Sequence, residues 1–202
     1  MITLRPVNLR WIQGAADDPL DLCAHGEVEF RIGCDVLLDP TAMKEVTVSA
    51  AALYLLRTLA TPHTRADPVG DHLFPCCGFA MYEVDGQQDV VVCGCPNGED
   101  FEVLHRVDGA GVVVRAADGR EWFCLWPDWR AAVFTFADAV STFYGKCSSK
   151  RPAADYEAGF RCFLAEWERR RGVRDPATHG SLNARNPPRM RICQPPRCEG
   201  GT

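Results

Sequence analysis

The chain has 202 residues, 47% apolar and 24% charged, with a formal net charge of −5. That is room for one good-sized domain with something left over, in the ordinary balance of a globular protein. The longest unbroken apolar stretches, such as AAALYLL at 50–56, fall far short of the ~20 residues a membrane span needs. The opening MITLRPVNLRWIQG also lacks the basic start, apolar run and small-residue cleavage site of an export signal. The expectation is a cytoplasmic protein with no membrane partner.

Charge divides unevenly along the chain. Residues 1–171 carry 25 acids against 17 Lys and Arg, a net of −8, whereas residues 172–202 carry 2 acids and 5 Arg, a net of +3. An acidic body repels nucleic acid, whose affinity rests on cationic neutralisation of phosphates. It suits a basic protein partner, because opposite fields steer encounter.

The first half reads mainly as strands. ITLRPVNLRW (2–11) and EVEFRIGCDVLL (27–38) alternate in part with period two, which puts Val28, Phe30 and Ile32 on one side. TVSAAALYLLRTLA (47–60) predicts the first helix. Thr47 or Ser49 can cap it, Ala52, Leu55, Leu56 and Leu59 form its apolar stripe, and Pro62 helps to end it. HLFPCCGFAMYEV then meets DVVVCGC across an Asp-Gly turn at 85–88, a hairpin signal. FEVLHRV (101–107), GVVVRAA (111–117) and REWFCLW (120–126) follow, separated by Asp-Gly turns, and predict a meander of neighbouring strands.

Two helices are expected to close the body. Residues 131–146 align Val133, Phe136, Val140, Phe143 and Tyr144, and residues 154–171 align Tyr156, Phe160, Phe163, Leu164 and Trp167. From Gly172 onward proline, glycine and arginine dominate without periodicity. Such a segment buries too little surface to offset its ordering entropy, so 172–202 is expected to be a flexible basic extension.

The chain has 11 cysteines, and the hairpin concentrates four of them. A turn on Gly86-Gln87 sets i + j = 173, so Cys93 faces Ala80 and Cys95 faces Gly78. Cys76 then lies diagonal to Cys95 on one face, and Cys77 points to the other. His72 shares the parity of Cys76, so a metal site of Cys76, Cys93, Cys95 and His72 is conceivable. The spacings C-C and C-x-C, like the C-x₄-C of Cys193 and Cys198, do not make the usual zinc knuckle. With no export signal, disulfides are not expected either. The leading expectation is therefore buried, reduced thiols, with no metal and no cofactor.

Other chemistry is not announced. The chain has no G-x-S-x-G elbow, no H-E-x-x-H and no phosphate loop. A pair such as Cys95 with His105 can be drawn, but a nucleophile needs a base within hydrogen-bond reach, which spacing alone cannot supply. The chain is accordingly expected not to be an enzyme. Glu99, Asp100 and Glu102 cluster beside a turn, where close carboxylates can bind a cation, move a proton or dock on a basic partner. In WFCLWPDW (122–129), Trp122, Trp126 and Trp129 with Asp128 stand at the junction of sheet and helix, as a core corner or an interface anchor.

The ending WPDWRAAVFTFADAVSTFYGKCSSKRP followed by GFRCFLAEWERRR resembles the C-terminal part of small bacterial immunity-type proteins of polymorphic toxin systems. The SUKH superfamily is one such group, although this chain opens with strands in place of that family's first helix. The resemblance implies a cytosolic α+β protein that neutralises a cognate toxin by occluding its active site. The expectation is thus an α+β domain over 1–171, an antiparallel sheet of about five to seven strands packed against about three helices. Its partner would be a toxin domain, met through Glu99, Asp100, Glu102 and Asp128, and not nucleic acid. The alternatives are a metal-dependent or cysteine-based module centred on the hairpin, or a non-catalytic subunit of a larger assembly.

Overall fold

The computed structural model describes residues 1–12, 17–78 and 80–172; the extension from 173 lies outside them. The described residues form an α+β fold with ten antiparallel strands and three helices. The strands do not join into one sheet of five to seven strands, as expected, but into four small ones.

Strands β1 (Ile2–Trp11), β2 (Ala24–Ile32) and β3 (Asp35–Leu38) form the first sheet, in that order. The expected single strand over 27–38 is broken here. Gly33 takes a positive φ of 62°, and the chain folds back so that Ile32 faces Asp35. A two-residue hairpin loop wants such a residue, and glycine adopts the conformation without a Cβ penalty. Val28 and Phe30 lie fully buried on the inner face of β2, as the alternation predicts.

Helix α1 (Val48–Arg57) is covered on every side, and each residue from Val48 to Leu56 is buried. A helix apolar all round belongs in a core rather than on a surface. It packs against β2, against β4 (Phe74–Pro75) and against the two later helices. Thr47 takes the extended N-cap conformation without a side-chain cap bond. At the other end the Thr58 hydroxyl donates to Leu55 O (2.6 Å) and accepts from the buried Trp129 indole (3.2 Å).

Two very short pairs follow: β4 with β7 (Gly98–Glu99), and β5 (Ala80–Tyr82) with β6 (Val91–Cys93). The meander is realised as β8 (Glu102–His105), β9 (Gly111–Arg115) and β10 (Glu121–Leu125), each strand beside the next.

Helix α2 (Trp126–Gly145) starts five residues earlier than expected, with Pro127 in its first turn, where the missing N–H costs nothing. The tryptophan group therefore straddles the junction, with Trp122 in β10 and Trp126 and Trp129 in the first turn of α2. Trp129 is fully buried, while Trp122 donates its indole N–H to Asp35 (2.8 Å). Helix α3 (Ala154–Arg171) matches the expected span. It lays Phe160 and Phe163 on Leu53, Met81 and Val90, a second cluster reaching the larger core through Val92, Tyr144 and Trp167.

A buried ion pair ties α1, α3 and the start of β6 together. Glu166 of α3 has a fully buried carboxylate. It accepts from Arg57 Nε and Nη2 (both 2.8 Å), from Val90 N (2.8 Å) and from Arg170 Nε (2.6 Å). Arg57 further donates to Val69 O and Val90 O (2.7 Å each). Every strong donor and acceptor in the group is satisfied, the condition under which burying charge is tolerable.

Candidate functional site: a three-sulfur cluster

The two short pairs share one register. Phe74 faces Glu99, Pro75 faces Gly98, Ala80 faces Cys93 and Tyr82 faces Val91, so i + j = 173 throughout, as the sequence predicts. β4–β7 and β5–β6 are thus the two ends of one ribbon, interrupted at 76–78 and 94–97. The interruption is where the cysteines sit.

Its hydrogen bonds explain the gap. Cys76 N still donates across to Asn97 O (2.9 Å). By the alternation of antiparallel ladders, Gly78 and Cys95 would be the next pair to exchange backbone bonds. They do not. Cys95 N donates instead to Cys77 Sγ (2.8 Å), and Gly78 O accepts from Cys23 Sγ (3.2 Å). Asn97 N turns back to Cys95 O (2.8 Å). Sulfur thus stands in for one ladder partner on each side, meeting Cys95 N on one and Gly78 O on the other.

Gly94 lets this happen. A Cβ there would stand 2.1 Å from Cys77 O, so only glycine admits so close a backbone approach. On the opposite side Thr47 N donates to Pro75 O (2.8 Å), and Gly78 lies against Ala50 of α1. The segment 75–78 is thereby pinned to the start of the central helix.

The outcome is a convergence of three half-buried side chains. Cys76 and Cys95 are joined by a disulfide, with Cα atoms 6.9 Å apart and 19 residues of separation. The Sγ atoms of Cys76, Cys77 and Cys95 all lie within 4.8 Å of one another. Beneath them Cys23 is buried; burial first, then the nearby Asp21 and Cys77, push its thiol up to about 12. It stays protonated at neutral pH and serves as a donor, not a nucleophile.

Several expectations are corrected here. A disulfide is present where none was expected. Of the conceivable set Cys76, Cys93, Cys95 and His72, the cluster takes the first and third. Cys93 stays in the β6 ladder opposite Ala80, and His72 lies beside Asp71 (3.6 Å). Cys77 joins the other two instead of pointing away, because strict alternation of faces holds only while a ladder is unbroken. The reading of a chain with no catalytic motif, hence no enzyme, is overturned by the same cluster, since a disulfide with a third half-buried sulfur beside it is a candidate catalytic motif. Nor are the remaining cysteines uniformly buried: Cys34 is exposed and Cys147 and Cys162 are intermediate.

The expected partner contacts are placed as follows. Glu99 is exposed on β7, close in sequence to the cluster. Asp100 accepts from His63 Nε2 (2.9 Å) and Leu73 N (2.9 Å). His63 is fully buried and its Nδ1 accepts from Val69 N (3.2 Å), which leaves the ring proton on Nε2 to donate. Burial pulls the Asp100 carboxyl upward, but the His63 and Leu73 bonds outweigh it and hold it below its ordinary value. Glu102 accepts from Arg115 Nη1 (3.1 Å) and Arg65 N (3.2 Å). Asp128 stands in the first turn of α2, where a negative charge suits the helix dipole. His105, drawn above with Cys95, is within 2.7 Å of Thr58 O and edge-on to Trp126.

What the pattern of residues could not disclose was Cys77 and the supporting Cys23. The signal available for Cys77 was only its adjacency to Cys76. No helix among the described residues is long and apolar enough to cross a membrane. The chain matches no family model, no curated protein and no solved structure.

Proposed function

We propose that the cluster of Cys76, Cys77 and Cys95 is a thiol–disulfide exchange centre, and the chain a cysteine-based redox module. The observation that carries this reading is a third, half-exposed sulfur within 4.8 Å of both halves of the Cys76–Cys95 disulfide. In the reduced protein, one thiolate of the Cys76/Cys95 pair attacks a sulfur of a substrate disulfide and expels the other as a thiolate. The second cysteine of the pair then attacks the mixed disulfide. It releases the reduced substrate and restores Cys76–Cys95, so two electrons pass from the pair to the substrate. Cys77 can attack either bridged sulfur, which offers a second route for resolving a mixed disulfide.

The test is the rate at which the reduced full chain transfers electrons to a peptide containing one disulfide. Wild-type protein should outpace an equal concentration of free glutathione thiol, and Cys76→Ser and Cys95→Ser should each abolish the excess. A rate no greater than that of glutathione would overturn the reading.

A second reading, the toxin-neutralising partner protein, draws on a different surface. Phe123 and Leu125 on the edge strand β10, and Val107 in the loop after β8, are large apolar side chains left exposed, as interface anchors are. Co-expression with a candidate toxin domain tests it. Phe123→Asp with Leu125→Asp should abolish protection, and protection that survives the double change would exclude this face.

A further inference from the structure

We infer that in the reduced protein Cys76, Cys77 and Cys95 bind one thiophilic divalent ion of the zinc class, and that oxidation of the pair expels it. The inference rests on the exchange reading above, in that the Cys76–Cys95 bond must open before the ion can enter.

Four observations carry it. First, three sulfurs on one tetrahedral zinc stand about 3.8 Å apart, given a metal–sulfur bond near 2.3 Å. The three Sγ atoms here already lie within 4.8 Å of one another, so opening the Cys76–Cys95 bond leaves all three on the scale of one site. Second, the Cα atoms of Cys76 and Cys95 are 6.9 Å apart. That spacing is at the far limit of disulfides and comfortable for two thiolates that share an ion. Third, Cys95 N already donates to Cys77 Sγ. A ligating group is usually oriented by such an outer hydrogen bond, which fixes the direction in which it presents its lone pair. Fourth, the ribbon is open at this point, with Cys76, Cys77 and Cys95 all half-buried, which leaves a path for an ion.

The donor set defines the chemistry. Thiolates select zinc and related soft or borderline ions over magnesium and calcium, which demand oxygen ligands. Among the described residues the group contains three ligands and no fourth. Three protein ligands with one open position are the pattern of catalytic zinc sites, in which water or substrate takes the remaining place. A thiol substrate would bind there directly. Loss of two electrons from the Cys76/Cys95 pair to a disulfide forms the sulfur–sulfur bond and removes two of the three ligands. The ion then leaves, and metal occupancy reports the redox state.

The experiment uses the full chain, reduced with a phosphine, freed of reductant without air and titrated with cobalt(II). One equivalent should produce thiolate-to-cobalt charge-transfer absorption, which zinc then abolishes by displacement. Cys76→Ser, Cys77→Ser and Cys95→Ser should each remove or strongly weaken the band, with folding checked by circular dichroism. Cys34→Ser should leave it intact, as should the double change Cys193→Ser with Cys198→Ser. Oxidation by oxidised glutathione should release one equivalent of metal. A folded, reduced protein without the band overturns the site, as does a band lost in the Cys193/Cys198 variant or kept in Cys77→Ser. Should a single cysteine variant unfold, alkylation of the wild type with and without zinc decides, since zinc should protect these three cysteines and not Cys34. Exchange activity without cobalt binding would refute this inference alone, and cobalt binding without exchange would refute the exchange reading alone.

Discussion

Replacing Glu166 with alanine tests what the buried ion pair contributes to the fold. Its carboxylate is fully buried and its main partner Arg57 is only 11% exposed. The change therefore leaves a guanidinium whose remaining hydrogen-bond acceptors are the carbonyls of Val69 and Val90, and orphans the Val90 N–H. Breaking one side of a buried pair costs about 3–5 kcal/mol, because the other charge stays unpaired. A loss near ~4 kcal/mol is a thousandfold shift in the folding equilibrium. Urea unfolding of the full chain, followed by circular dichroism, measures it. Arg57→Met combined with Glu166→Leu should recover much of the loss, since no lone charge remains. The wild type should also weaken in acid. Burial pulls the Glu166 carboxyl up, but the bonds from Arg57 and Arg170 outweigh that and hold it below its ordinary value. Its contribution is therefore complete above the unfolded value of ~4.3 and disappears as pH falls through the lower folded one. A loss under about 1 kcal/mol for Glu166→Ala, typical of an exposed pair, would refute the reasoning.

Other substitutions follow from the same contacts. Asp100→Asn should cost about 1–3 kcal/mol by weakening the acceptor of His63 and Leu73 N. It should also remove the part of the acid sensitivity that appears as pH falls through the depressed Asp100 value; equal acid profiles for the two proteins would contradict that. Gly94→Ala forces a Cβ against Cys77 O, so it should cost about 1–3 kcal/mol as overpacking does and slow exchange by separating Cys77 from Cys95. Unaltered stability and exchange rate would show that the close approach is dispensable. Cys23→Ala should leave exchange unaffected, because a thiol pushed up to about 12 is not ionised at neutral pH; a collapse of exchange with folding intact would make Cys23 a participant. Reduction of the Cys76–Cys95 bridge, which closes a loop of 19 residues, should lower stability by about 3 kcal/mol through loop-closure entropy, read as a shift of the urea midpoint.

Much of the architecture was legible because it rests on local signals. The register of the cysteine hairpin came from one turn position, and its sum of 173 holds at both ends of the ribbon. Helix α3 and the β8–β10 meander follow from periodicity and Asp-Gly turns. The cluster itself was not legible, for a physical reason. Alternation assigns faces only within an unbroken ladder, and what breaks this one is a close approach of Cys77 O to Gly94 together with sulfur hydrogen bonds from and to the loop. The division into four sheets is likewise a tertiary effect: local patterns name strands but not which edges remain apart. The bond between Arg57 and Glu166, 109 residues apart, carries no sequence signature at all. The early start of α2 is different, since Pro127 was available as a first-turn signal.

The central claim is that Cys76, Cys77 and Cys95 share one site, and peptide mapping of the non-reduced protein tests it most directly. No Lys or Arg lies between Arg65 and Arg106, so all four hairpin cysteines fall in one tryptic peptide. Further cleavage after Glu83 separates Cys76 and Cys77 from Cys93 and Cys95, and the two halves stay together only through a disulfide. After alkylation of unpaired thiols and tandem mass spectrometry, the account predicts halves joined between Cys76 and Cys95, with Cys77 alkylated. Halves that separate without reductant, or a bridge that runs through Cys93, would contradict it.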